Sequence, residues 1–190
     1  MLSLHVKGAD CETADFNSEN HAQPRKKVER LSDGLKSAPA GDADEETISG
    51  YYDEYSQLET AYKTFDSLSV EITKSFQLIV KKSSPIAFLV SGANLENIRL
   101  FFEKICIECE KYDEETLTVL NEVFDYLFDQ HRLNDSSYIR LPVQVGDDFD
   151  LDRHTRTSGS PPTGKVKRVI IAGFMKEGST KKTKSYVEIG

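Results

Sequence analysis

Residues 94–134 decide the fold, and they read NLENIRLFFEKICIECEKYDEETLTVLNEVFDYLFDQHRLN. Apolar residues recur at steps of three and four along both halves of this stretch, which is the spacing of one helix face. The face comprises Leu95, Ile98, Phe101, Phe102, Ile105 and Cys109 in the first half, and Leu117, Leu120, Phe124, Leu127 and His131 in the second. Asn94 is suited to cap the first helix, and Asp113 starts the second. We therefore predict two helices that pack as an antiparallel pair, joined by the polar turn at 111–113.

A third apolar stripe precedes this pair. Its members are Ala61, Phe65, Leu68, Ile72 and Ile79. Their spacing predicts one amphipathic helix that runs on from Tyr51. Pro85 cannot continue an unbroken helical ladder, so we expect a kink or break between Lys82 and Ala93.

The three stripes offer more apolar surface than one antiparallel pair can cover. We therefore predict a homodimer in which helices of two chains form a coiled coil or four-helix bundle. The residues expected at the dimer contact are Phe65, Leu68, Ile72, Leu120, Phe124 and Leu127.

After Asp135 the period of the apolar residues falls to two, which is typical of β-strands. Residues 138–145 are strand-like, and Pro142 within them indicates an edge strand. Residues 164–175 predict a strand buried on part of both faces, and residues 186–189 a short final strand. We expect the stretch 164–189 to form a hairpin.

The composition indicates that only part of the chain is packed. Apolar residues make up 38% of the 190 residues, against about 45 to 50% in compact domains. Residues 1–48 have no sustained period and bury too little apolar surface to offset their ordering entropy. We therefore predict an α+β protein with a disordered tail over residues 1–48, a helical dimerisation region over 49–135 and a small all-β domain over 136–190.

The charge of the chain argues against nucleic acid or an anionic membrane as the main partner, because the formal net charge is −8. No apolar run reaches the length of a membrane span, and the first 40 residues lack the features of a signal peptide. Three cysteines without a regular framework favour a reducing compartment. We therefore predict a cytoplasmic protein that binds other proteins.

The charge is unevenly distributed along the chain. Residues 136–190 carry 10 Lys and Arg against 6 Asp and Glu, whereas residues 49–135 carry 8 against 16. The strand region can therefore present a basic face to an acidic partner.

No group of residues predicts catalysis or a cofactor. Cys106 and Cys109 lie within a helical pattern and have no second ligand pair, so we interpret them as buried thiols. The acidic cluster at 147–152 lacks the Gly and Glu of a calcium loop. The chain has no P-loop, no G-x-G-x-x-G and no G-x-S-x-G. A metal-dependent hydrolase that uses the acidic cluster with His154 remains an alternative, which the metal content of the purified protein would test.

Four segments near the carboxyl end resemble one known family. They are GDDFDLDRH at 146–154, TGKV at 163–166, GF at 173–174 and VEI at 187–189. In order and approximate spacing they are similar to the end of GrpE, the nucleotide exchange factor of DnaK-type chaperones. The helix pair and the acidic start also look like the layout of that family, although Leu151 stands where the family has proline.

The resemblance implies a co-chaperone of protein folding and the stress response, with neither catalytic residues nor a cofactor. A GrpE dimer docks on the ATPase domain of the chaperone, its β-domain pushes one lobe outward, and ADP leaves. This is exchange by differential binding of open and closed states. The contact implied here comprises Phe149, Lys181, Lys182, Val187 and Ile189, although the three apolar residues are equally suited to the core of the β-domain.

A second hypothesis is a dimeric coiled-coil adaptor whose β-domain binds an unrelated protein, with only the fold in common with GrpE. Acceleration of ADP release distinguishes the two hypotheses.

Overall fold

The computed structural model describes the backbone of residues 45–190 and the side chains of residues 52–190. Within this part, Ser49–Gly190 forms one compact unit. Of the tail predicted over residues 1–48, residues 1–44 lie outside the part of the chain that the structure describes. The first helix begins at Glu45, slightly before the predicted boundary.

Helices occupy the first part of the described chain. They are α1 (Glu45–Asp66), α2 (Val70–Ser75), α3 (Pro85–Gly92), α4 (Leu95–Glu108) and α5 (Glu114–Asn134), with a 3-10 turn at Cys109–Lys111. The predicted cap at Asn94 and the predicted helix start at Asp113 are confirmed. The Asn94 side chain accepts hydrogen bonds from the backbone N–H groups of Glu96 and Asn97, and the Asp113 carboxylate accepts one from Thr116.

The prediction of one helix through the third stripe is wrong. The helix α1 ends at Asp66, and Ser69 caps the short helix α2 by accepting a hydrogen bond from the Ile72 N–H. Because serine hydroxyls compete for backbone donors, they favour such caps over helix interiors. The apolar spacing continues through this break, since Leu68 and Ile72 still pack on the core.

The chain does break ahead of Pro85, but Pro85 itself starts a helix. It occupies the first turn of α3, where the missing N–H costs nothing. The Ser84 hydroxyl caps this helix by accepting a hydrogen bond from the Ala87 N–H at 3.1 Å.

Short strands follow the helices and form two sheets. The strands are β1 (Tyr138–Arg140), β2 (His154–Arg156), β3 (Val166–Ile171), β4 (Phe174–Lys176), β5 (Lys182–Thr183) and β6 (Ser185–Ile189). One sheet has the order β1-β4-β5, with antiparallel pairs. The other has the order β2-β6-β3, in which β2 and β6 run parallel. The α+β class is confirmed. The strand β1 lies at an edge, as predicted for residues 138–145, but it ends at Arg140, before Pro142.

The predicted hairpin is confirmed in part, since β3 pairs antiparallel with β6. The predicted strand at 164–175 nevertheless divides at Gly173, and β4 leaves to join the other sheet. A Cβ atom at Gly173 would lie 2.1 Å from the Thr183 carbonyl oxygen. The Gly173 N–H donates to the buried Ser185 hydroxyl at 2.8 Å. Glycine is therefore required where the two sheets meet.

Helices and strands share one core across Asp135. Ile170, Ile171 and Phe174 of the strand region are buried in the same cluster as the helical stripes. The Asn121 side-chain amide of α5 donates to the Ile170 carbonyl at 2.9 Å. The strand region adds a small cluster of its own, formed by Val166, Val187 and Ile189.

The six residues predicted at a dimer contact lie inside this single chain. Phe65, Leu120, Phe124 and Leu127 are buried, and Leu68 and Ile72 are half-buried against them. The helix α3 and the strand region supply the covering that we had assigned to a second chain. Covering the stripes therefore does not require a dimer.

Candidate functional site

The apolar residues expected at a partner surface contribute to the small cluster of the strand region. Val187 is 0% exposed and Ile189 only 3%. Phe149 is half-buried and packs against that cluster. Of the two roles open to them, these side chains fill the role in the core, and an apolar surface at Val187 would require the sheet to open.

The two predicted lysines lie on the surface instead. Both side chains are exposed: Lys182 begins β5, and Lys181 directly precedes it in the hairpin that β4 and β5 form. The chain turns between β4 and β5 at Gly178, whose φ of 73° suits glycine. The Ser179 hydroxyl then accepts a hydrogen bond from the Lys181 N–H at 3.0 Å. This turn therefore sets the positions of both lysines at the end of the hairpin.

Lys181 and Lys182 line a cleft of about 360 Å³, which we call the basic cleft. Its lining residues are Arg99, Tyr138, Phe174, Met175, Lys176, Ser179, Lys181, Lys182 and Thr183. One side is formed by the sheet β1-β4-β5 and its hairpin, and α4 contributes Arg99. Four of these side chains are cationic, and none of the residues that line the cleft is acidic.

The packing of the helices on the sheet positions this cleft. Phe102 of α4 meets Phe174 of β4 edge to face, with ring centroids 5.9 Å apart. Arg99, one turn earlier on α4, is thereby brought to the hairpin. In the register of β1 and β4, Tyr138 lies opposite Lys176, whose ammonium is 5.5 Å from the tyrosine ring centroid.

Only one of the four cations has a carboxylate partner in the described chain. Lys176 Nζ lies 3.0 Å from an oxygen of Asp135. The Ser137 hydroxyl and Lys176 lower the pKa of Asp135 to about 2, so this carboxylate is charged at neutral pH. The hydrogen bond between Lys176 and Asp135 also raises the pKa of Lys176.

The other three cations are exceptional among the basic residues. Within residues 52–190, the Lys and Arg side chains with neither an ion pair nor a hydrogen bond are Lys74, Lys81, Arg99, Lys181 and Lys182. Three of them meet in the basic cleft. Like charges repel one another when they are not neutralised, so their gathering favours an anionic ligand.

The thiols of Cys106 and Cys109 are unsuited to redox chemistry. Burial raises the pKa of Cys106 to about 12 and also raises that of Cys109. The reactive form of cysteine is the thiolate. Both thiols are therefore protonated at neutral pH. Cys109 is buried, as interpreted, whereas Cys106 is only half-buried.

The acidic cluster at 147–152 has a structural role. The backbone N–H of Asp150 donates to His154 Nδ1 at 3.2 Å, and the Asp150 carboxylate accepts from the Asp152 N–H at 2.8 Å. No group of three or more His, Cys, Asp or Glu side chains converges as a metal site in the described residues. This part of the chain therefore gives no support to the alternative of a metal-dependent hydrolase.

The sequence identified half of the cationic residues of the basic cleft. Lys181 and Lys182 were named because the resemblance to GrpE implies a partner contact in the basic strand region. Arg99 and Lys176 were missed, since Arg99 lies in an acidic helical segment and its approach to the hairpin depends on tertiary packing. A search for cations on opposite sides of a predicted helix–hairpin contact would have found it.

Comparison with known proteins finds no matching family model, no matching curated protein and no matching solved structure. Among the helices of the described chain, none is both long and apolar enough to cross a membrane. The function must therefore be argued from the residues and geometry of the chain itself.

Proposed function

We propose that this chain is a protein-binding co-chaperone of the cytoplasm that docks through the basic cleft on the ATPase domain of a DnaK-type chaperone and accelerates ADP release. The observation that carries the proposal is the gathering of Arg99, Lys181 and Lys182, without carboxylate partners in the described chain, at one cleft. The GrpE-like segments fall in the same part of the chain, which is why we assign this partner.

The proposed activity needs no catalytic side chain. A binding protein accelerates ADP release if it binds the open form of the ATPase domain more tightly than the closed form that clasps the nucleotide. The basic cleft would supply electrostatic attraction to an acidic lobe, which mainly raises the association rate. The compact unit of helices and strands behind it would hold the lobe outward.

The proposed contact differs from the one first expected in its apolar part. Val187 and Ile189 are buried, and of the apolar residues that line the cleft Phe174 is 1% and Tyr138 8% exposed. The apolar surface offered to the partner is therefore mainly that of the half-buried Met175. Phe149, Val187 and Ile189 would support the sheet from within. A homodimer remains compatible with this proposal, but the fold of the chain does not require one.

Stopped-flow release of labelled ADP from a DnaK-type chaperone tests the proposal. We expect the wild-type chain to accelerate release. We expect the double variant Lys181→Glu with Lys182→Glu to lose about tenfold or more of this effect at limiting concentration, since steering charges change association rates by that order. Exposed charges contribute little to stability, so the variant should fold.

A matched control is available in the same chain. The double variant Lys74→Glu with Lys81→Glu makes the same change in net charge with lysines that also lack a polar partner in residues 52–190 but lie outside the cleft. It should accelerate ADP release like the wild type. Equal losses in both double variants would refute a specific role of the cleft. Truncation at Asp135 is unsuitable, because it removes Phe174 and Ile170 from the shared core.

A second candidate is an adaptor that binds an unrelated acidic protein through the same cleft. It is favoured by the packing of the helices into one core with the strands, since the expected dimeric stalk is not needed to bury the stripes. If the chain leaves ADP release unchanged for every DnaK-type chaperone of its cell, this candidate replaces the first.

A further inference from the structure

Building on the function proposed above, we propose that the basic cleft takes a short acidic segment of its protein partner, with Asp and Glu residues around one apolar side chain, and that Asp135 sets the affinity by occupying Lys176. Arg99, Lys181 and Lys182 are then the cations that remain for the ligand. Asp135 is a positioning residue and does not itself contact the segment.

The lining of the cleft indicates the chemistry of this ligand. Its cations come from two elements, with Arg99 on α4 and the lysines on the hairpin. A ligand must therefore offer negative charge to both sides. Between them the exposed apolar lining is that of the half-buried Met175, since Tyr138 is 8% and Phe174 only 1% exposed. Pockets that combine apolar lining with a few polar groups fix a side chain and its orientation together.

An acidic protein segment suits this cleft better than a nucleic acid. Nucleic-acid binding relies on many phosphate contacts spread over a basic surface. Here the helical region around the cleft is acidic, with 16 Asp and Glu against 8 Lys and Arg in residues 49–135. A long polyanion would meet that surface, whereas a short segment would stay within the cleft.

Asp135 acts as an internal competitor for Lys176. Its carboxylate accepts hydrogen bonds from the Ser137 N–H at 3.2 Å and from the Ser137 hydroxyl, which hold it at the end of α5. From there it lies 3.0 Å from the Lys176 ammonium. A ligand carboxylate that approaches Lys176 therefore competes with a carboxylate that is already in place.

Asp135→Asn separates the charge of Asp135 from its hydrogen bonds to Ser137. The asparagine keeps an oxygen that accepts the Ser137 hydrogen bond but loses the charge that holds Lys176. Fluorescence anisotropy would be measured with a labelled peptide of alternating Glu and Ser around one Phe, and with its Gln counterpart. We expect the Glu peptide to bind and Asp135→Asn to tighten it about twofold to fivefold, the range of one exposed ion pair. Lys176→Met added to Asp135→Asn should abolish the gain.

The control variant is Asp129→Asn. Asp129 also lies on α5 and pairs with Arg132 at 3.2 Å, and neither residue lines the cleft. The variant makes the same change in net charge. It should leave the affinity close to that of the wild type. An equal gain from Asp129→Asn would show a general effect of charge and would overturn the role of Asp135.

The assignment of the ligand has its own test. The charge-reversed pair at Lys181 and Lys182, and separately Arg99→Gln, should weaken binding of the Glu peptide. Binding that ignores these substitutions, or equal binding of the Gln peptide, would overturn the assignment. So would tighter, cleft-dependent binding of a single-stranded DNA oligonucleotide.

Failure of this ligand assignment can be distinguished from failure of the proposed exchange function. ADP release that depends on Lys181 and Lys182, without binding of the Glu peptide, would overturn the acidic segment while the exchange function stands. Cleft-dependent binding of the peptide without any effect on ADP release would leave the ligand assignment standing and overturn the exchange function.

Discussion

Replacement of Phe124 by alanine tests whether the helical stripes are covered within one chain. Phe124 is 0% exposed, and its ring lies about 6 Å from the rings of Phe101, Phe102, Phe128 and Phe174. Removing a buried Phe costs about 3 to 5 kcal/mol. The Arg140 guanidinium, 4.6 Å from the ring centroid, also loses this contact but keeps Phe128 and Asp125. We therefore expect a loss of about 4 kcal/mol in the free energy of unfolding.

Urea unfolding measures this loss. With a slope near 2 kcal/mol per M, the midpoint should fall by about 2 M. Leu133→Ala on the same helix is the control, because Leu133 is 77% exposed, and its midpoint should hardly change. The decisive observation is the dependence on protein concentration. If the stripes are covered within one chain, the urea midpoint should stay constant over a hundredfold range of protein concentration. A midpoint that rises with protein concentration would refute this coverage. So would a Phe124→Ala variant whose main defect is dissociation into monomers.

Two further substitutions probe the strand region. Gly173→Ala should destabilise the chain by several kcal/mol and lower its thermal midpoint, because the new Cβ would meet the Thr183 carbonyl oxygen at 2.1 Å. Gly159→Ala is the control, since nothing lies within 4 Å of its new Cβ, and it should leave the thermal midpoint unchanged. Equal effects of the two substitutions would contradict this packing. The pKa of His154, which is 2% exposed, is lowered mainly by burial and next by Arg153. Its contribution to stability is therefore complete above its ordinary pKa of about 6.5 and is lost as the pH falls through the lower folded value. His154→Asn, which can keep an acceptor for the Asp150 N–H, should flatten the dependence of urea midpoints on pH below 6.5; an unchanged slope would show that other groups carry it.

The sequence predicted those elements whose signals are local. Asn94 was identified as a cap and Asp113 as a helix start because a cap depends on a side chain and the next few backbone N–H groups. Pro85 was misjudged, since the same residue breaks a helix interior and starts a helix, and the choice depends on the Ser84 cap. The break at Ser67–Ser69 was missed because Leu68 and Ile72 keep the apolar spacing through it.

Long-range packing was beyond the reach of the pattern. The division of the strand at Gly173 follows from the close approach of residues 183–185, which no local signal reports. For the same reason the stripes suggested a second chain, when strand residues such as Phe174 cover them. Lys181 and Lys182 could be named from the resemblance to GrpE together with the charge of their region, whereas Arg99 joins them only through the contact of Phe102 with Phe174.

The rate of association with the chaperone ATPase domain, measured by stopped flow over a series of salt concentrations, tests the role of the basic cleft most directly. Salt screens exposed charges, so the wild-type rate should fall steeply as the salt concentration rises. The variant with Lys181→Glu and Lys182→Glu should associate more slowly at low salt and respond less to salt, while the variant with Lys74→Glu and Lys81→Glu follows the wild type. If all three chains show the same rate and the same salt dependence, the basic cleft is not the surface that meets the partner.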